Sequence, residues 1–247
     1  MSSWLQRFAF RWLARSEVVP VAECVHFGAF RYGTGGFNPY ENYAVRYLQG
    51  QRDAARAGLV EFLRHYRPVD LASALGVTLS RSVGLWEYPW MRRAPVALRG
   101  PRPGWYDDPA EIPDIVTHFS ERGILQRRIE EEFAWLEQTA DSIRQHGYCP
   151  DRFGGDIQVR CLIASDGARR YLVYDGNHRL SAMAAVGIPL VRVRYVPGMT
   201  LRESALSRWR GVVGGAWTAE DATTVFHAYF PGRQSARTTE IAATVLP

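Results

Sequence analysis

A chain of 247 residues is long enough to form one large domain or two small ones around a substantial buried core. Its hydrophobic content of 47% and charged content of 22% are ordinary for a globular protein, and no apolar run approaches the roughly 18 residues of a membrane span. All 30 basic residues are arginine, which excludes three classes that need a lysine: P-loop nucleotide hydrolases, pyridoxal enzymes and protein kinases.

Net charge and cysteine content narrow the possible ligands. The formal net charge of +5 permits a phosphate-bearing or nucleic-acid ligand without requiring one. Because lysine is absent, any phosphate must be held by arginine, histidine, backbone amides or a metal ion. Cys24, Cys149 and Cys161 are too few and too scattered for a disulfide framework or a zinc site. The start of the chain lacks the continuous apolar segment of a secretory signal, so we expect a cytoplasmic protein.

The first predicted element is an amphipathic helix over residues 4–15. Arginines recur at four-residue spacing on one face, and tryptophan, leucine and phenylalanine occupy the other. Such a helix suits either peripheral contact with a membrane surface or packing against the rest of the protein, and we favour packing.

A glycine-rich loop then leads into a second helix. Asn38 is a suitable N-cap and Pro39 a suitable first residue, and the apolar pattern predicts a helix to about residue 66. Glycines 33, 35 and 36 either cradle a ligand or simply connect two elements, and we favour a connection because no obvious strand precedes them. Residues 68–113 are rich in proline, glycine and tryptophan, which predicts mostly irregular structure that either pins loops to the core or lines a pocket.

The strongest helical pattern begins after Glu121 and ends at His146, with Gly147 in the position that commonly follows a helix. A compact α/β unit is predicted next, because segments with the alternating pattern of strands and segments with the periodicity of helices follow one another along the chain. Its predicted parts are a strand over Ile157–Ile163, a turn at 166–167, a strand ending at 175, a helix from 177 and a strand over 191–195. Thr218 is predicted to cap a last helix that continues to Pro231.

Residues 171–187 are the stretch around which this unit is organised. A strand ends in the turn Asp175-Gly176, and Asn177 is a suitable N-cap for the helix that follows. The first turn of that helix presents free backbone N–H groups beside His178 and Arg179, which is a favourable place for a phosphate. The alternative is a surface turn with solvated polar residues, and we favour the phosphate.

Three phrases of this region resemble the ParB/sulfiredoxin superfamily. They are residues 141–148 (Asp-Ser-Ile-Arg-Gln-His-Gly-Tyr), the strand Ile157–Ile163, and residues 175–182 (Asp-Gly-Asn-His-Arg-Leu-Ser-Ala). In that superfamily a helix leads to a strand and a hairpin, and the next turn holds nucleotide phosphates. The resemblance covers roughly residues 115–200 and implies an α/β (α+β) fold with a core of that type.

The Asp-Gly-x-His-Arg form of the turn is most similar to the free-serine kinases of this superfamily, which phosphorylate a small hydroxyl compound. That similarity implies a phosphotransferase that uses ATP or ADP with Mg²⁺, in which Gly176, Asn177, His178 and Arg179 bind the nucleotide. Asn177 stands where sulfiredoxins have a reactive cysteine, so sulfinic-acid reduction is not expected. The residues after the motif predict one clear helix rather than a helix-turn-helix domain, so we expect no nucleic-acid partner.

Asp175, Glu121 and His118 are the candidates for the chemistry, and Glu130 is the second choice for the base. Asp175 either shapes its turn, or binds Mg²⁺ or accepts a proton from the attacking hydroxyl, and we weigh these readings equally. In the similar kinases a glutamate at the start of the helix before the strands acts as base. Glu121 is the nearest candidate for that role, with Glu130 second and with His118 beside it, although a carboxylate there also stabilises the helix dipole without any catalytic role.

The predicted organisation has three parts: a helical, loop-rich region over residues 1–112, a nucleotide-binding core over 113–200 and a helical extension over 201–247. In the preferred interpretation the first part forms the pocket for a small-molecule acceptor. Two alternatives are a switch module that binds CTP or ATP without net phosphoryl transfer, and a metal-dependent nuclease. The nuclease is disfavoured because the arginines are dispersed rather than gathered in a basic stripe.

Overall fold

The computed structural model describes residues 16–33, 37–66, 68–85, 87–91 and 126–230. The predicted helix over residues 4–15 and the two candidate residues His118 and Glu121 lie outside these ranges. The three-part division of the chain stays a prediction.

The described residues form a five-stranded mixed sheet with the strand order β1-β5-β3-β4-β2. The β1/β5 and β3/β4 pairs are antiparallel, whereas β5/β3 and β4/β2 are parallel. The strands are β1 Ser16–Pro20, β2 Cys24–Val25, β3 Ile157–Ile163, β4 Arg169–Asp175 and β5 Leu190–Arg202. The α-helices of the described residues are α1 Pro39–Leu48, α2 Arg52–His65, α3 Leu71–Leu75, α4 Gln126–His146, α5 Asn177–Ala185, α6 Arg210–Val213 and α7 Ala219–His227.

Helices cover both faces of the sheet, which explains the alternating pattern of its strands. On one face, Val159 and Cys161 of β3 pack in a core with residues of α4 and α5. On the other face, Leu162 packs in a second core with α3, α7 and the tryptophans at 90, 209 and 217. Successive residues of a strand point to opposite faces, so one strand supplies both cores. The mixed α/β class is confirmed.

Local sequence signals account for several element boundaries. The bounds of β3 agree with the prediction, and Asn38 caps α1 with Pro39 in its first turn. The side chain of Thr218 accepts a hydrogen bond from the Asp221 N–H at the start of α7. Gly147 follows α4 with a φ of +67°. Each of these signals acts within one turn of the chain, so each is readable without the fold.

Several predictions of secondary structure were wrong or incomplete. The strand predicted over 191–195 spans Leu190–Arg202, and the last helix, predicted to continue to Pro231, ends at His227. The helix expected from residue 38 to 66 is two helices, because Gly50 adopts a φ of +82° that an α-helix does not contain. Strands β1 and β2 were not predicted, since they are short and gain stability only by pairing with distant strands. Helix α3 lies in the region predicted as irregular, where Asp70 and Ser73 form a capping box.

Among the helices in the described parts of the chain, none combines the length and the apolar character needed to cross a membrane.

Candidate functional site

The turn between β4 and α5 is held in a conformation that only glycine adopts easily. Gly176 has a φ of +101° and is the N-cap of α5, so the prediction that Asn177 is the N-cap was wrong by one residue. A Cβ atom at position 176 would lie 2.8 Å from Ile157 Cγ1 and 2.8 Å from Arg179 Nη2. The backbone conformation and the close neighbours both exclude a side chain here.

We expect Gly176→Ala to destabilise the protein by about 2 kcal/mol or more, since it adds contact strain to the cost of a left-handed backbone. Gly167→Ala is the matched control, because Gly167 has a φ of +87° but nothing within 4 Å of its Cβ position. That control should cost only about 1 kcal/mol. Urea unfolding of both variants measures the difference, and equal losses would contradict the contact argument.

The first turn of α5 offers unsatisfied backbone donors. No side chain in the described parts of the chain caps this helix. The first N–H groups of an α-helix have no partner within the helix and carry the positive end of its dipole. The helix start therefore has the free backbone donors that the sequence predicted, and an anion bound to them stays a prediction.

The buried Arg179 side chain holds the turn over residues 175–179 in place through hydrogen bonds. Its side chain is 9% exposed, and its guanidinium Nη1 donates to the Gly155 carbonyl oxygen at 2.7 Å. Its Nη2 donates to Asp175 Oδ2 at 3.0 Å, and its Cζ lies 6.0 Å from the centre of the Phe153 ring. Both terminal nitrogens are thus engaged within the protein, so in this arrangement Arg179 fixes the turn geometry.

Asp175 is the most solvent-accessible of the candidate residues that the structure describes. Its side chain is 60% exposed and forms an ion pair with Arg179. Within the described residues there is no group of three or more histidine, cysteine, aspartate or glutamate side chains placed to hold a metal ion. A single accessible carboxylate beside bound phosphates is nevertheless a common arrangement for Mg²⁺, which keeps several waters. Asp175 fits that requirement.

His178 is paired with a glutamate from the long helix α4. Its Nε2 lies 2.7 Å from Glu132 Oε1, and both side chains are largely shielded from solvent. The ring of Tyr40 lies with its centre 5.7 Å from that of the imidazole. This arrangement orients the imidazole beside the start of α5. A carboxylate that orients a histidine is a recurrent device for moving protons in active sites.

The glutamate that reaches the turn is neither of the two named from the sequence. Glu121 lies outside the described residues, and Glu130 forms an ion pair with Arg56 instead. A signal for Glu132 was present, because Glu132, Leu136 and Ala140 recur at four-residue spacing on the face of α4 that packs towards the core.

The α1 side of the site contains two titratable groups that sequence reasoning also missed. Burial, helped by the nearby His178, lowers the pKa of His26 to about 3. Burial raises the pKa of Glu41 to about 7, although a hydrogen bond from the Gly33 N–H opposes the rise. His26 is therefore neutral at physiological pH, and the pKa of Glu41 lies close to physiological pH. Both pKa shifts arise from burial in the folded chain, so the sequence alone does not indicate them.

The Asn177 side chain is hydrogen-bonded to Tyr32, whose hydroxyl donates to Asn177 Oδ1 at 2.6 Å. The sequence did not indicate Tyr32, which is separated from Asn177 by 145 positions. Of the predicted site, the structure thus brings together residues 175–179 and adds Tyr32, Tyr40 and Glu132.

The fold and the site define a mixed α/β protein with an uncapped helix start flanked by a histidine–glutamate pair. No protein-family model matches the chain, and no curated protein or solved structure matches it either.

Proposed function

We propose that this chain is a small-molecule kinase, which transfers a phosphoryl group from ATP or ADP to the hydroxyl of a small metabolite. The observation that carries the proposal is the His178–Glu132 pair, 2.7 Å apart, beside the uncapped start of α5. Phosphoryl transfer needs a place for phosphate oxygens and a group that receives the hydroxyl proton. The site offers both within one turn of helix.

The order of elements supports membership of the ParB/sulfiredoxin superfamily, which we propose for the core. Helix α4, the antiparallel hairpin β3–β4, helix α5 and strand β5 follow one another as the resemblance implies. The Asp-Gly-Asn-His-Arg phrase spans the end of β4 and the first turn of α5, where that superfamily holds phosphates.

In the proposed reaction each site residue has one task. The backbone N–H groups of Asn177 and His178 hold phosphate oxygens, and Asp175 is the residue that would hold Mg²⁺, whose charge compensates that of the phosphates. The acceptor oxygen bonds to the terminal phosphorus while the bond from phosphorus to the nucleotide's bridging oxygen breaks. The hydroxyl proton passes to the His178–Glu132 pair. Arg179 keeps the turn in place.

The test begins with binding. At a nucleotide concentration about 100-fold above its Kd, a ligand of the folded state contributes about 2.7 kcal/mol, so we expect ATP or ADP with Mg²⁺ to raise Tm by about 5 °C or more. Both His178→Ala and the control His146→Ala should keep this shift, because His178→Ala retains the backbone N–H that holds phosphate and His146 lies exposed in the last turn of α4.

Transfer is then measured by ³¹P NMR with ATP and pools of hydroxyl metabolites. A new phosphomonoester that forms with the wild type and is strongly reduced with His178→Ala supports a kinase. If none of ATP, ADP and CTP shifts Tm, the proposed function is wrong.

A specific observation also favours a nucleotide-binding switch as the second candidate. Asn177, His178 and Arg179 contact three separate parts of the chain, through Tyr32, Glu132 and Gly155. An arriving phosphate that changes these contacts would change the packing of all three parts. Hydrogen exchange that changes near Tyr32, Glu132 and Gly155 on addition of CTP or ATP, with no phosphorylated product, would favour the switch.

A further inference from the structure

Tyr32 is a buried tyrosine whose polar end reaches the candidate site. The residue is 1% exposed and packs in the core between the sheet and helix α5. Its hydroxyl donates to Asn177 Oδ1 at 2.6 Å, across 145 positions of sequence. Packing in the core involves only the aromatic ring of Tyr32. It therefore does not explain why the hydroxyl is present or why it is hydrogen-bonded to Asn177.

This hydrogen bond determines which way the Asn177 amide points. A tyrosine hydroxyl has one proton, and here it is given to the carbonyl oxygen of the amide. The pKa of Tyr32 is raised well above its ordinary value of 10.0, chiefly by burial, so the hydroxyl keeps that proton at physiological pH. With Oδ1 held on the Tyr32 side, the Nδ2 donors of Asn177 face away from it.

The direction in which Nδ2 faces matters because Asn177 is the first residue of α5. The residue is half-buried, and among the described residues none accepts a hydrogen bond from Nδ2. Because Asn177 is the first residue of α5, its side chain belongs to the same helix turn as the backbone N–H groups that have no side-chain cap. A side-chain amide and backbone amides together are a suitable donor set for phosphate oxygens.

We infer that Tyr32 is a positioning residue that orients the Asn177 amide, so that Nδ2 donates to a phosphate oxygen of a nucleotide at the start of α5. The inference rests on the proposed function, and it adds a side-chain donor to the backbone donors of the site. It also gives Tyr32, which lies at the start of the glycine-rich loop, an indirect role in ligand binding.

A double-mutant cycle on nucleotide affinity tests this role. Isothermal titration calorimetry with ADP and Mg²⁺ is performed on the wild type, Tyr32→Phe, Asn177→Ala and the double variant. Tyr32→Phe keeps the ring and removes only the hydroxyl, so we expect a three- to tenfold weaker Kd, roughly the effect of losing one orienting hydrogen bond. In the Asn177→Ala background, the same change should alter Kd less than about twofold.

Tyr43→Phe is the matched control for a general loss of packing. Tyr43 is also 1% exposed, and its hydroxyl donates to Glu137 Oε1 at 2.8 Å in the middle of α4. Its removal should lower Tm without changing the Kd for ADP. If Tyr43→Phe weakens ADP binding as much as Tyr32→Phe, the effect is structural and the inference is wrong.

The outcomes separate this inference from the proposed function. If the wild type does not bind ADP, ATP or CTP, the proposed function fails and the inference fails with it. If the wild type binds but Tyr32→Phe has no effect, or has equal effects in both backgrounds, only the inference is wrong.

One measurement needs no variant of Tyr32. The Asn177 side-chain amide signals are assigned in a ¹⁵N NMR spectrum by their loss in Asn177→Ala, and they should shift when ADP is added to the wild type. ADP binding that leaves those signals in place would overturn the inference even if Tyr32→Phe failed to fold.

Discussion

Glu132→Gln is expected to slow phosphoryl transfer about 100-fold or more while changing the Kd of the nucleotide less than about twofold. The substitution keeps the size of the side chain but removes the negative charge that faces His178 Nε2 at 2.7 Å. A correctly placed acid–base group contributes about 10²- to 10⁴-fold to a rate, whereas the backbone N–H groups proposed to hold the nucleotide are unchanged by this substitution. Single-turnover kinetics and calorimetry measure the two quantities separately.

Glu130→Gln is the matched control, because it makes the same chemical change half a turn away on the same helix. Glu130 is paired with Arg56, whereas His178 Nε2 is paired with Glu132. We expect this variant to transfer phosphate within about twofold of the wild type, since exposed ion pairs contribute little. Equal losses in the two variants would mean that Glu132 acts only through the charge of α4.

Glu137→Gln is expected to lower the free energy of unfolding by about 2–3 kcal/mol at pH 7, or Tm by roughly 5–10 °C. Glu137 is a shielded carboxylate, with a side chain 10% exposed, that is ion-paired to Arg52 and Arg56. It also accepts the hydroxyl of Tyr43. Glutamine has one acceptor oxygen in place of two, so it cannot accept the four hydrogen bonds that Tyr43, Arg52 and Arg56 donate to Glu137, and the buried Tyr43 hydroxyl competes for the oxygen that remains.

The same carboxylate predicts a pH dependence of stability. Hydrogen bonds from Arg52, Tyr43 and Arg56 lower the pKa of Glu137 from 4.5 to about 2, against the effect of burial. A depressed carboxyl pKa stabilises the folded state above the unfolded pKa and loses that effect as the pH falls through the folded value. The difference in unfolding free energy between wild type and Glu137→Gln should therefore be constant from pH 7 to about 5 and shrink towards pH 2.

Asp141→Asn provides the control for that network. Asp141 has a comparable partner set, since it accepts from the Tyr47 hydroxyl and pairs with Arg144, but its side chain is 47% exposed. Solvent screens such a pair, so we expect a loss below about 1 kcal/mol. A loss as large as that of Glu137→Gln would show that burial does not determine the strength of these networks.

Much of the fold could be predicted because its signals are local. The caps of α1 and α7, the C-terminal glycine of α4 and the alternation of β3 each depend on residues within a few positions of one another. The break between α1 and α2 depends on the conformation of Gly50, which the apolar pattern of the two helices conceals. Strands β1 and β2 could not be predicted, because five and two residues make no stable strand without partners.

The candidate site also has a part that local sequence signals predict and a part that only chain folding determines. The sequence by itself determined the turn over residues 175–179, because glycine, a helix start and the flanking polar residues are adjacent in the chain. Only the tertiary structure decided what surrounds that turn. It placed Glu132 on His178 and Tyr32 on Asn177, and it buried Arg179 beneath the turn. The physical reason is that a hydrogen bond or an ion pair depends on distance in space, and chain folding brings together side chains that are 46 and 145 positions apart.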